Sequence, residues 1–302
     1  RINWVPMAGL ISALFYFMEV PVAGRNLNNI LRYLLAPVIW VLAGLGSGLA
    51  AQQFWALNSG NPPEFYYSSF TSHLLWERLF PNPSFPVGVL PYILLIASPL
   101  LLYLALNLRE LTRRFHFIRL LALAAITGVL FAGGLVVSVK IGGGTNLHNM
   151  DVFLAALLVI AVELYFLRSL DETGQVVKIE LPAWLKTAAI AVPIIFTISF
   201  GGLPSRTIDR QSAYQDLAKL QKYADQAVAG GGEVLFMSQR HLLTFDLIQD
   251  VPLVHPHEKL LLQEMAMSDN DVYLAAFAEE MAEQKYALMV SDRLPSVERY
   301  PK

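Results

Sequence analysis

The chain has 302 residues, of which 55% are hydrophobic and 15% are charged, and its formal net charge is −2. Its mean hydropathy of +0.47 excludes a soluble domain with a charged surface, so the composition predicts a membrane protein. The absence of cysteine excludes disulfide bonds and thiolate metal sites.

The first residues of the chain do not match the pattern of a targeting signal. It begins at Arg1 and not at a methionine, and no signal-peptide pattern precedes the first apolar run. We therefore expect the chain to be the later part of a longer protein.

Six apolar runs approach the roughly 20 residues that a helix needs to cross a bilayer. Several contain proline, which bundled membrane helices tolerate because neighbouring helices satisfy the freed carbonyl groups. We predict an α-helical polytopic membrane bundle of about six transmembrane helices within residues 1–203, followed by a small α/β extracytoplasmic domain over residues 204–302. The predicted spans are 4–22, 33–51, 87–108, 120–139, 152–167 and 184–200.

The basic residues of the short loops predict the orientation, because such residues concentrate on the cytoplasmic side. The loops after the first, third and fifth spans are basic. By alternation, the loop at 57–86, the segment 140–151 and everything after the sixth span lie on the outer face of a plasma (inner) membrane. The basic residues of the predicted cytoplasmic loops are Arg25, Arg32, Arg109, Arg113, Arg114, Arg119, Arg168, Lys178 and Lys186.

The outer loop at 57–86 is rich in aromatic side chains. Residues 68–79 fit a short helix lying in the membrane interface, with its rings at headgroup depth. Two interpretations remain open: an aromatic belt that anchors the bundle, or one wall of a groove for a lipid-linked substrate. The aromatic residues are Phe65, Tyr66, Tyr67, Phe70, Trp76, Phe80 and Phe85.

A polar, glycine-rich segment at 140–151, here called the hinge, separates the fourth and fifth spans. Asn149 or Asp151 is predicted to cap the fifth span, because a short acceptor there satisfies free backbone amides. The same amides, approached closely through glycine and flanked by Lys140, would also bind a phosphate. The alternative is a tight turn with Lys140 extended towards the interface. The predicted phosphate-binding residues are Lys140, Gly142, Gly143, Gly144, Asn146 and His148.

The composition changes after residue 203. From Gly201 to Lys302 there are 10 basic and 15 acidic residues, whereas the rest of the chain has a net charge of about +3. Helical periodicity at 209–229, 258–267 and 271–285 alternates with strand-like runs at 234–237 and 287–290, which predicts a small α/β unit with a parallel sheet. Its acidity argues against nucleic acid as a partner. Pro256 disrupts the ligand spacing of His255 and His257, so no metal site is predicted.

A family resemblance gives the hinge a more specific meaning. The pattern Lys140-x-Gly142-Gly143-x-x-Asn146, opening onto a membrane helix, resembles a motif in the later part of GT-C glycosyltransferases of the family 39 type. The tail segments 234–245, 251–254 and 288–292 are similar to the outer domain of bacterial members of that group. The resemblance covers roughly residues 122–294.

This resemblance implies transfer of a sugar from a polyprenyl-phosphate carrier on the outer face, with membrane lipids and the lipid-linked sugar as ligands and no resident cofactor. In that family a carboxylate in the first outer loop acts as the base, and no such acid is recognised in this chain. The early outer loop holds only Glu64 and Glu77, which form no pair, so the catalytic residue stays unassigned. The alternative is a structural or accessory subunit of a larger membrane complex, for example a bioenergetic one, without catalysis of its own. A transporter is less favoured, because the chain has no duplicated half.

Overall fold

A computed structural model of the chain describes residues 4–24, 26–59, 71, 73–82, 87–141, 147–166, 168–201 and 209–292. The chain divides into two compact units. The first unit consists of Arg1–Asn61 and Leu74–Leu203, and the second consists of Pro62–His73 and Pro204–Lys302.

The described part of the first unit is helical. Two 3₁₀ turns, Trp76–Leu79 and Leu147–Met150, lie before α3 and α6 respectively. Each of the six predicted spans coincides with one of the longer helices, whereas α4 is a short amphipathic helix that the sequence did not predict. The helices are α1 (Met7–Glu19), α2 (Leu27–Asn58), α3 (Val89–Leu106), α4 (Leu108–Arg114), α5 (Phe117–Ile141), α6 (Asp151–Tyr165) and α7 (Ala183–Gly201).

Among the described residues, four helical segments are long and apolar enough to cross a membrane: Leu27–Asn58, Val89–Leu106, Phe117–Val139 and Leu147–Tyr165. The apolar helices Met7–Glu19 and Ala183–Ser199 are shorter. The first predicted span was therefore too long. Its helix begins only after Pro6 and ends at Val20, where the backbone becomes extended.

Helix α2 is longer than the second predicted span, because a local cap starts the helix early. The Asn26 side chain accepts a hydrogen bond from the amide of Asn29 at 2.8 Å, which satisfies one of the free amides of the first turn. Polar residues such as Arg32 therefore lie inside the helix but outside its apolar stretch. Pro37, Pro99 and Pro193 lie within α2, α3 and α7, as expected for membrane helices.

Helix α6 is the central helix of the first unit, because it packs against α1, α3 and α5. About 56% of its candidate span is buried, against 6% for α2. Helix α2 packs closely on α1, where a β-carbon on Gly44 would lie 2.7 Å from the backbone nitrogen of Gly9. Small residues thus let these two helices approach each other, as in many membrane helix pairs.

The second unit combines a two-stranded sheet with helices. Strands β1 (Glu233–Phe236) and β2 (Tyr286–Val290) are parallel, with Leu235 opposite Met289, and this confirms the predicted strands and their direction. The other elements are α8 (Arg210–Ala229), α9 (His241–Thr244), a 3₁₀ turn (His255–His257), α10 (Lys259–Met267) and α11 (Asp271–Ala282).

Helix α8 begins and ends where the sequence predicts. The Asp209 side chain accepts a hydrogen bond from the Ser212 amide at 3.1 Å, and Gly230 ends the helix. Its inner face packs on the sheet because apolar residues recur at helical spacing. The core of this unit contains Ala224, Val234, Phe236 and Ile248.

Candidate functional site

Two peripheral segments of the first unit meet at the end of α5 that leads into the hinge. The amide of Leu75 donates to the carbonyl of Val139 at 3.0 Å, which attaches the end of the aromatic loop to the last turns of α5. The turn Leu147–Met150 packs on the same helix, because Gly134 has no side chain. A β-carbon there would lie 2.8 Å from the carbonyl oxygen of Asn149, closer than such atoms approach.

This contact region is well packed. Val139 and Met150 are fully buried, and Asn149 is nearly so. The Ser138 hydroxyl donates to the carbonyl of Gly134 at 2.8 Å, so even the polar groups here are satisfied within the helix. The flanks of the hinge are thus fixed relative to α5.

The predicted phosphate-binding residues are described in part. Gly142, Gly143, Gly144 and Asn146 lie outside the described residues, as does the side chain of Lys140, although its backbone belongs to the last turn of α5. His148 lies half-buried in the turn Leu147–Met150.

The predicted cap of α6 differs from the one found. Asp151 is the first residue of the helix, and the residue before it, Met150, occupies the N-cap position without a side-chain hydrogen bond. The reason is that the 3₁₀ turn containing Asn149 runs directly into the helix. The Asp151 carboxylate lies in the first turn, where a negative charge complements the helix dipole.

The aromatic loop is described at 57–59, 71 and 73–82, so Phe65, Tyr66, Tyr67, Phe70, Phe85 and Glu64 lie outside the described residues. Of the helix predicted at 68–79, the described part contains the 3₁₀ turn Trp76–Leu79. The rings of Trp76 and Phe80 are exposed, which fits an interfacial belt and a substrate groove equally. Glu77 is exposed on the same turn.

A second polar cluster, which the sequence did not predict as a site, is built around Arg119. This side chain is fully buried at the start of α5. Its Nε donates to the carbonyl of Phe17 at 2.7 Å and its Nη2 to that of Met18 at 2.8 Å. These carbonyls belong to the last turn of α1 and lack helical partners, so Arg119 caps that helix.

Glu172 completes this cluster from the loop between α6 and α7. Its Oε1 accepts from Arg119 Nη1 at 2.9 Å and from the His116 amide at 2.7 Å, and its Oε2 accepts from the Val22 amide at 2.7 Å. One carboxylate therefore connects three separate loops. The Arg119 guanidinium also lies over the Phe115 ring, 4.3 Å from its centroid.

Neighbouring charges surround an open polar cavity of about 680 Å³, which lies between the same three loops. The hydrogen bond from Arg114 lowers the pKa of Glu110, and the Thr173 hydroxyl lowers that of Asp171. Arg113 lies at the rim, 72% exposed, with an Nη1 3.7 Å from Glu110 Oε2.

A third polar cluster lies in the second unit, around the buried side chain of His257. Its Nε2 lies 2.5 Å from Glu280 Oε2 and its Nδ1 lies 3.2 Å from the Tyr273 hydroxyl. Tyr286 and Lys285 also donate to Glu280, at 2.7 and 2.8 Å. Because all these groups pair with each other, the cluster holds α11 to the turn at His255–His257. Within the described part of the chain, no group of three potential ligands could hold a metal ion.

Three further ionisable residues are Glu19, Glu163 and His73. Glu19 is exposed at the end of α1. Glu163 is buried, and its carbonyl accepts a hydrogen bond from the Arg168 amide at 3.1 Å. His73 pairs with Asp269 at 2.6 Å within the second unit.

The sequence did not predict the Arg119 cluster, because Arg119 was interpreted only as one of the basic residues of the cytoplasmic loops. Two features of the sequence indicate such a cluster: an arginine directly before an apolar run, and the polar turn Asp171-Glu172-Thr173-Gly174. No protein-family profile, curated protein or solved structure matches this chain, so the functional argument rests on the residues and their geometry.

Proposed function

We propose that the chain is a multi-pass membrane protein that binds a polyprenyl-phosphate-linked sugar at the hinge, in the role of the later part of a GT-C glycosyltransferase of the family 39 type. The four long apolar helices support membrane insertion. In this proposal the shorter α1 and α7 complete a bundle of six helices, and the acidic second unit lies on the outer face.

The observation that carries the proposal is the convergence at α5. The aromatic loop joins this helix through Leu75 and Val139, and the turn after the glycines packs against Gly134. In this proposal, a lipid phosphate at the hinge is bound by the hinge amides and Lys140, with the aromatic loop beside it. Backbone amides and a lysine are the groups that bind phosphate in glycine-rich loops.

These groups would act mainly by electrostatics. When the sugar is transferred, its bond to the carrier breaks and negative charge grows on the departing phosphate. Lys140 and the hinge amides would offset that charge, while His148 and Asn146 would orient the phosphate or the acceptor. The base that deprotonates the acceptor is not assigned to a residue of this chain.

The test is donor binding by the purified full chain, measured by crosslinking to a photoreactive polyprenyl-phosphate sugar. We expect Lys140→Ala to lower the labelled fraction about tenfold, because a charge-assisted contact is lost. Lys178→Ala, which removes an equal charge in the loop between α6 and α7, should leave labelling unchanged. Equal labelling of both variants would remove Lys140 from the site.

A second pair of variants tests the packing that positions the hinge. Gly134→Leu should abolish donor labelling, because its side chain would collide with Asn149 and Met150. Gly133→Leu should retain labelling, since its β-carbon has no neighbour within 4 Å. Donor labelling of Gly134→Leu at the wild-type level would contradict the proposed geometry.

The exposure of α2 favours a second candidate, an accessory subunit of a larger membrane complex. This helix has 32 residues, and only 6% of its candidate span is buried within the chain. Lipid or a helix of another subunit would cover such a surface. Purification in mild detergent distinguishes the two, because an accessory subunit should co-migrate with its partners in a fixed ratio.

A further inference from the structure

A long apolar groove adjoins the polar cavity beside Arg119. The groove has a volume of about 820 Å³ and lies along α3, α5 and α6, from Leu94 and Phe153 at one end to Leu108 at the other. Thr112 and Phe117 line both the groove and the polar cavity, so the two spaces meet at the α4–α5 turn. The apolar groove and the polar cavity therefore adjoin at this turn, and a ligand could occupy both.

The apolar part has the character of a binding site for a hydrocarbon chain. Its walls are leucine, phenylalanine and alanine side chains, and its volume is within the range of about 300–1,000 Å³ found for ligand sites. Gly128 lies in its wall, with no atom within 4 Å of the position of a β-carbon. The groove thus has room for a ligand that runs parallel to the helices.

The charges that line the polar part are balanced, with Arg113 and Arg114 against Asp171 and Glu172, so their engagement within the protein decides which ligand charge fits. Both oxygens of Glu172 already accept hydrogen bonds from backbone amides, and Arg119 lies against it. Asp171 Oδ1 accepts from the Thr173 amide and hydroxyl and from the Gln175 amide. The carboxylates are thus engaged with the protein's own donors. A positively charged headgroup would gain little from them.

The guanidinium of Arg113, at the rim of the cavity, remains available to a ligand. Arg113 is 72% exposed, and its separation of 3.7 Å from Glu110 is too long for a hydrogen bond. Its guanidinium can therefore bind a phosphate oxygen at the mouth of the cavity. The basic loops predict that this end of the helices is cytoplasmic, the side on which basic side chains bind anionic lipid headgroups.

We propose that this site binds an anionic phospholipid, with one acyl chain in the groove and the phosphate at Arg113. The buried pair of Arg119 and Glu172 keeps the shape of the cavity by tying its three loops together. The proposal depends on membrane insertion but not on donor binding, because this site and the hinge are lined by different residues.

The test is native mass spectrometry of the purified full chain, with phosphatidylglycerol and phosphatidylcholine of matched acyl chains. The wild-type protein should retain phosphatidylglycerol over phosphatidylcholine. Arg113→Gln should weaken phosphatidylglycerol binding about tenfold, because one charge-assisted contact is lost. Arg109→Gln, which removes the same charge from the same short helix outside the cavity, should have little effect.

A second pair of variants tests the groove. Gly128→Phe should exclude the acyl chain and weaken phosphatidylglycerol binding as well, whereas Gly133→Phe should not, because Gly133 does not line the groove. Equal retention of the two lipids, or equal effects of Arg113→Gln and Arg109→Gln, would overturn the proposal. Since Arg113 is at the surface, its variant tests binding without disturbing the fold. Polyprenyl-phosphate labelling by a chain that ignores phosphatidylglycerol would leave the proposed function intact.

Discussion

At the scale of single residues, Glu280 contacts three polar side chains of the second unit. Hydrogen bonds from Lys285, Tyr286 and His257 stabilise its charged form and lower its pKa to about 2. The same cluster raises the pKa of Tyr273 to about 12, mainly because the phenol is buried. Both shifts favour the charge states that the cluster has near neutral pH.

The lowered pKa of Glu280 predicts how the second unit responds to acid. A carboxyl whose pKa is lower in the folded state adds stability that is present above its ordinary value of 4.5 and is lost as the pH falls towards 2. We expect protection of the β2 amides to decrease across that interval. Hydrogen exchange of the full chain, corrected for intrinsic rates, measures it.

The variant Glu280→Gln tests the same cluster at neutral pH. It should destabilise the second unit by about 1–3 kcal/mol, because several donors lose a charged acceptor. Glu279→Gln, on the exposed side of α11, is the control and should change little. If the two variants exchange at the same rate in β2, the cluster does not hold α11 in place.

At the scale of elements, the pairing of α1 and α2 depends on particular glycines. A β-carbon on Gly44 would meet the backbone of Gly9 at 2.7 Å, and one on Gly48 would meet a methyl group of Val5 at the same distance. A β-carbon on Gly46 would meet nothing within 4 Å. Neighbouring glycines of one helix thus differ in function, because they face different sides.

We therefore predict that Gly44→Leu separates α1 from α2, whereas Gly46→Leu is tolerated. Overpacking of this kind costs about 1–3 kcal/mol. Heating the detergent-purified protein and measuring the fraction that stays monodisperse compares the two variants. A Gly46→Leu protein that loses as much stability as Gly44→Leu would show that the close helix contact is not responsible.

At the scale of the whole molecule, the sequence predicts on which side of the membrane the loops and the second unit lie. Basic loops predict that the loop between α6 and α7 is cytoplasmic and that the second unit is outside. The chain has no cysteine, so a single introduced thiol reports its own position without background from the chain.

We expect Gln215→Cys, in the exposed face of α8, to react with a membrane-impermeant maleimide on intact cells. Gln175→Cys, in the exposed loop after α6, should react only after permeabilisation. Both side chains are exposed, so accessibility within the protein is matched. The opposite labelling pattern would reverse the orientation, and equal labelling of both would contradict a membrane between them.

Much of the local structure follows from the sequence, because its causes are close together in the chain. Helical periodicity at 209–229 predicted the extent of α8, which Asp209 and Gly230 cap at its two ends. The apolar runs predicted the six apolar helices that the structure describes in the first unit, although α1 is shorter and α2 longer than expected. The hinge is a prediction whose central residues the structure does not describe.

The sequence by itself determined the apolar spans, the polar interruption at 140–151 and the α/β pattern of the tail, since hydropathy and capping depend on adjacent residues. Only the tertiary structure decided that Arg119 binds the end of α1 through Phe17 and Met18, about 100 residues away. It alone distinguished Gly134 from Gly133. The physical reason is that contacts between distant segments depend on how the helices pack, which periodicity along one helix does not specify.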